Sequence, residues 1–163
     1  MNRYVWGSLV LLASVWAGLN TAYAETAGTA KPEHGEYRDW RVLGVSLRHD
    51  KSSMRAIVGN DIAINAARAG KTKPWPDGSI IAKIKWAERK HPNWEQASVP
   101  GEFTAAEAMV KDSKKYAETG GWGFGIWEGK TLKMYDKAQS APCFACHLPM
   151  KDSDYVYTLP NLQ

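Results

Sequence analysis

The chain holds only two cysteines, and both fall in one short run near its C-terminus, Cys143-Phe144-Ala145-Cys146-His147. C-x-x-C-H constrains this fold more than any other feature, because the spacing suits covalent attachment of a haem. Each thiol adds across one vinyl group, and the adjacent imidazole reaches the iron as proximal ligand. A C-x-x-C disulfide, redox or structural, with His147 a bystander, is the other chemistry open to this pair. The expectation carried forward is haem c, bound by Cys143 and Cys146 with His147 as metal ligand.

Export strengthens that expectation, since haem is attached to C-x-x-C-H outside the bacterial cytoplasm. Met1-Asn2-Arg3 is a short positive start, an apolar run extends from Tyr4 to Leu19, and Ala22-Tyr23-Ala24 is an A-x-A cleavage site. The run is interrupted by Gly7, Ser8, Ser14 and Gly18 and is short for a stable membrane span. The reading is a signal peptide over 1–24, cleaved after Ala24, and a periplasmic protein. Removal takes one charge, Arg3, so the net charge falls from +4 to +3 and 139 residues remain. That is one domain's worth, enough to enclose a haem. The small, scattered positive surplus forms no basic stripe, so no nucleic-acid partner is expected.

Residues 25–36 are small and polar and read as a flexible arm; the haem domain is expected over 37–163. Trp40, Val42 and Val45 begin a short strand. Asn60 or Asp61 caps a helix through Ile62, Ala63, Ala66 and Ala67, closed by Gly70. Lys73–Gly78 is a turn, and Ile80, Ala82, Ile84 and Trp86 then alternate with Ser79, Ile81, Lys83 and Lys85 as in a strand. A loop rich in Pro, Asn and Gly follows. Thr104-Ala105-Ala106-Glu107 matches a capping box and predicts a helix to about Glu118. Trp122, Phe124 and Ile126 alternate with Gly123, Gly125 and Trp127 in another strand, whose glycines leave room for something bulky. A turn at Glu128-Gly129-Lys130 leads to Leu132 and Met134. The fold class predicted is α+β, an antiparallel β-sheet with packed helices and C-terminal c-type haem attachment. Four long helices of a bundle are not there.

Several segments in order resemble the cytochrome P460 group, which includes the β-sheet cytochromes c′. Tyr37-Arg38-Asp39-Trp40 is similar to its opening aromatic segment, and Arg55 to an arginine of its early strand. Asp77-Gly78-Ser79-Ile80-Ile81-Ala82-Lys83 resembles D-G-T-V-x-V-K. Lys111-Asp112-Ser113-Lys114-Lys115-Tyr116-Ala117 and Gly121-Trp122-Gly123-Phe124 resemble a K-D-S-K-x-[FY]-A helix and the strand after it. Asp154-Tyr155-Val156-Tyr157-Thr158 resembles a terminal D-x-V-[FY]-T strand.

The resemblance implies five-coordinate high-spin haem, a homodimer, and nitrogen-oxide chemistry: oxidation of hydroxylamine or binding of nitric oxide. It implies a covalent bond from Lys83 to the haem edge, although Lys83 shares a strand face with Lys85, as a solvated edge would show. It also implies a carboxylate base shortly before the first cysteine. The nearest acid there is Asp136, and Gln139 could hydrogen-bond a ligand but not take a proton. Arg55 is expected to meet a haem propionate or to pair with an acid.

His34, His49 and His91 fall in polar segments. Met54, Met109 and Met134 are read as core, and Met150 is too close to His147 to reach the opposite axial position. Trp75, Trp86, Trp94, Trp122 and Trp127, with Phe103 and Phe124, are candidates for a dry haem pocket or for ordinary core and surface aromatics. The expected function is hydroxylamine oxidation at an open distal haem site, with electrons passed to a periplasmic partner. Non-catalytic nitric oxide binding is the alternative, and simple electron transfer with a sixth ligand the third.

Overall fold

The computed structural model describes residues 36–161; the expected signal peptide and all but the last residue of the arm lie outside the described residues. Six strands form one antiparallel sheet in chain order. They are β1 (Arg41–Arg48), β2 (Ser53–Gly59), β3 (Ile80–His91), β4 (Trp94–Lys111), β5 (Trp122–Glu128) and β6 (Thr131–Met134). Helix α1 (Asp61–Arg68) connects β2 to β3, and helix α2 (Lys137–His147) follows β6. The predicted α+β class and antiparallel sheet are therefore present. Among the described residues no helix is long and apolar enough to cross a membrane.

Asn60 caps α1 as expected, its side-chain oxygen accepting from the Ala63 amide at 3.0 Å. An eight-residue helix is marginal alone, so its stability comes from Ala63, Ile64 and Ala66, which are buried against the sheet. Successive residues of the paired strands face opposite sides of the sheet, interrupted by register shifts in β1 and in the outer half of β3. On one face Ile57, Ile81, Met109, Trp122 and Phe124 join the residues of α1 in one core. On the other, Val58, Ile80, Ala82, Ala106, Ala108 and Trp127 pack with Tyr37 in a second.

Three local expectations are overturned. The Pro/Asn/Gly-rich segment is no long loop: His91 pairs with Trp94 around the two-residue turn Pro92-Asn93, and register shifts accommodate Pro100. The predicted helix from Thr104 is instead the end of β4. This strand is central, paired to β3 and to β5, and pairing on both sides outweighs the helix propensity of its alanines. The capping-box atoms are used across strands, with the Thr104 hydroxyl donating to the Lys85 carbonyl at 3.1 Å. The Lys111–Ala117 segment likewise is no helix; after Lys111 it turns and tightens into a single 3-10 turn, Ala117–Thr119. Third, Asp154–Thr158 is not a strand: it leaves the 3-10 turn Leu148–Ser153 through left-handed residues and continues without ladder pairing.

The glycines of β5 do admit something bulky, but from within the chain. A Cβ at Gly123 would stand 2.4 Å from the Tyr116 ring and 2.8 Å from Met134.

Candidate functional site

Helix α2, not foreseen as a helix, carries the C-x-x-C-H run. Asp136 is its N-cap: the carboxylate accepts from the Gln139 amide at 2.8 Å, and the Gln139 side chain accepts from the Asp136 amide at 3.0 Å. Pro142 lies inside the helix and withholds one backbone donor. Positions 143, 146 and 147 are spaced i, i+3 and i+4, which puts both thiols and the imidazole on one side of α2. The cysteines are unbridged, Cys143 half-buried and Cys146 exposed. Burial raises the Cys143 thiol above its ordinary pKa, with the Glu107 charge adding to it.

His147 packs 5.5 Å from the Phe124 ring. Its Nδ1 lies 2.7 Å from the Tyr155 carbonyl oxygen. A carbonyl can only accept, so Nδ1 carries the proton and Nε2 keeps its lone pair for a metal. Burial pulls the imidazole pKa below its ordinary value, more than the Tyr155 hydrogen bond raises it. The ring is thus held neutral, the state in which it can ligate.

Cys143, Cys146 and His147 line a cavity of about 880 Å³ between α2 and the sheet. Ile57, Ile81, Met109 and Phe124 make its apolar wall, and Arg55, Lys83 and Glu107 are its central polar side chains. Lys83 stands opposite Glu107 in the β3–β4 register, their charged groups 2.6 Å apart, and Lys85 pairs with the other carboxylate oxygen. Burial alone would raise the Glu107 carboxyl, but hydrogen bonds and charge from both lysines outweigh it. The net pKa lies below the ordinary carboxylate value. Arg55 is different: its Nε is buried without any partner, and burial, then the Arg48 charge, pulls the guanidinium pKa down. A buried donor without an acceptor is costly, and Arg55 is one of the residues that bring positive charge to the cavity wall.

The fold therefore brings Lys83, Arg55, Cys143, Cys146 and His147 together. Asp136 is not among them; its carboxylate is committed to capping α2, and Gln139 to the same box. Glu107 is the carboxylate in the cavity, and it escaped the sequence reading because it was taken as part of a capping box. Ala106, Ala108 and Val110 are buried on the face opposite Glu107, but no local sequence pattern distinguished that strand from the capping-box reading.

Of the candidate pocket aromatics only Phe124 lines the cavity. Trp75 and Trp122 are buried in the adjoining core, Trp127 packs on the opposite face, and Trp94 and Phe103 are exposed. His49, His91, Met54, Met134 and Met150 do not line it, whereas Met109 does.

A haem fits these residues. The volume is within the range of cofactor pockets, two thiols stand beside a neutral imidazole with a free lone pair, and Arg55 in the lining supplies a positive charge that suits a carboxylate such as a propionate. No curated protein matches the chain. The family model of cytochrome P460 matches residues 34–158, from before the first strand to the wall of this cavity. With that span matched and the C-x-x-C-H helix closing a haem-sized cavity, the chain belongs to the cytochrome P460 family, which implies a haem cofactor.

Proposed function

We propose that this chain is an exported c-type haemoprotein that oxidises hydroxylamine, with Lys83 bonded to the haem edge. The observation carrying the proposal is the Lys83–Glu107 pair, inside the cavity that both thiols and His147 line. Bound haem supplies the electron sink. Cys143 and Cys146 would hold it through thioethers, His147 would present Nε2 to the iron, and Arg55 would offer its positive charge to a propionate. Glu107, ionised at neutral pH, takes the protons that substrate loses, a role worth about 10²–10⁴-fold in rate. With two lysines on it Glu107 is a weak base. Replacing one Lys83 N–H and one haem-edge C–H by the C–N bond gives up two protons and two electrons, which a two-electron oxidant such as a peroxide would take up as water. Lys83 would then carry no ammonium charge, leaving Lys85 as partner and raising the basicity of Glu107.

A second reading, non-catalytic nitric oxide binding, is favoured by the apolar wall of Ile57, Ile81, Met109 and Phe124, which suits a small uncharged ligand. The A-x-A sequence supports a periplasmic location and a periplasmic electron acceptor. A homodimer is part of the same proposal and rests on the family membership alone.

The test is the ferrous absorption spectrum of the holoprotein with and without Lys83→Ala, together with hydroxylamine turnover using an artificial acceptor. A broad, red-shifted Soret band and steady turnover, both lost in the variant, are expected. An ordinary high-spin spectrum indifferent to the substitution, without turnover, would leave nitric oxide binding. A low-spin spectrum lost on Met109→Ala would leave electron transfer.

A further inference from the structure

Two segments have no part in the cavity chemistry above, yet they meet beneath it. Lys111, at the end of β4, is 4% exposed, and its Nζ donates to both carboxylate oxygens of Asp154 at 2.8 Å. It also donates to the Gly120 carbonyl at 3.0 Å and lies 4.9 Å from the Trp122 ring centroid. Asp154 is held from two more directions. The Trp75 amide donates to its carboxylate at 2.8 Å, and the Trp122 indole N–H donates to its backbone carbonyl at 2.8 Å.

What this anchoring holds is unusual backbone. Asp154 and Tyr155 are consecutive non-glycine residues at φ 51° and 64°. Left-handed backbone is disfavoured for any residue with a Cβ and persists only when its surroundings impose it. The surroundings here include Gly120, where a Cβ would come within 2.1 Å of the Tyr155 ring. The consequence of the two left-handed residues is the direction of the Tyr155 carbonyl, which accepts from His147 Nδ1 at 2.7 Å.

We propose that Lys111 is a positioning residue for the iron: through Asp154 it fixes the Tyr155 carbonyl, and thereby the tautomer and donor strength of His147. The inference rests on reading His147 as the proximal ligand. A hydrogen bond from Nδ1 raises the basicity of the ligating imidazole and so stabilises the ferric state. Loosening the anchor weakens that bond and favours ferrous iron.

The test uses the holoprotein carrying Lys111→Met with Asp154→Asn, which removes both charges together so that neither is left buried alone. Asparagine tolerates left-handed backbone and can still accept from Trp75. The readouts are the reduction potential and the ferrous iron–histidine stretching frequency. The expected result is a shift toward ferrous iron of about tenfold, about 59 mV for one electron, with a lower stretching frequency. Lys111→Arg, which keeps a cation, should stay near the parent in both. Trp122→Phe, which removes the indole N–H donor to the Asp154 carbonyl and replaces the indole by a smaller ring, should shift both in the same direction by less; it decides the matter if the double variant does not fold. An unchanged potential and frequency in a folded variant would overturn the proposal and make Lys111 merely structural. Absence of an iron–histidine band in the parent protein would instead sink the ligand assignment of His147.

Discussion

The two faces of the sheet are built from the same strands, yet one is filled with side chains and the other leaves room for a cofactor. On the filled face Trp127 meets Tyr37 and Trp40 with ring centroids 4.8 and 5.7 Å apart, over fully buried Ala82 and Ala106. One residue along from each alanine stand Lys83 and Glu107, on the cavity face. Strand alternation thus lets a single strand devote successive residues to stability and to chemistry. The cavity face carries charge that a close-packed core would not tolerate: Glu107 is paired with both Lys83 and Lys85, which leaves a net positive charge on that face.

That division can be broken by substitution. Glu107→Gln should have the largest effect, lowering hydroxylamine turnover by about 10²–10⁴-fold while the haem absorption spectrum is retained; stopped-flow reduction of the ferric protein checks it. The same variant carries a pH signature. The folded carboxyl lies below its ordinary 4.5, so its contribution to stability is complete above that value and disappears as pH falls through the lower folded pKa. Acid denaturation of the parent should be steeper in that window than that of Glu107→Gln.

On the opposite face, Trp127→Ala should cost about 3–5 kcal/mol in denaturant unfolding and leave the haem spectrum and turnover intact. A large spectral change would show that the faces are not independent. The smallest change is expected from Lys85→Met. Its stability should fall by about 1 kcal/mol or less, while the acid limb of the pH–rate profile moves to higher pH because Glu107 loses a cation. Coincident loss of stability and activity would mean that the lysine pair holds the sheet together rather than tuning the carboxylate.

The regions read well from sequence share one property: their signals are local. Asn60 and the alanine–isoleucine spacing after it specify α1, the alternation after Ile80 specifies β3, and that after Trp122 specifies β5. The segment 104–118 failed because its local signals, a capping box and helix-forming alanines, disagree with its partners on both sides. Asp136 failed for the complementary reason: its role as a helix cap is visible only once Lys137–His147 is known to be helical.

The sequence by itself determined the chemistry at the C-terminus of the chain. Two thiols and an imidazole at i, i+3 and i+4 converge on one side of any helix that contains them, whatever surrounds it. Only the tertiary structure decided what faces them. Lys83 and Glu107 are 24 positions apart in the sequence and become neighbours through the β3–β4 register. Lys111 and Asp154, 43 residues apart in the sequence, are paired side chain to side chain at 2.8 Å. Such pairs are selected by the hydrogen-bond ladder and by the burial of whole strand faces. Those energies belong to no short window of sequence, and a slip of one residue in β3 or β4 would turn Lys83 or Glu107 to the other face.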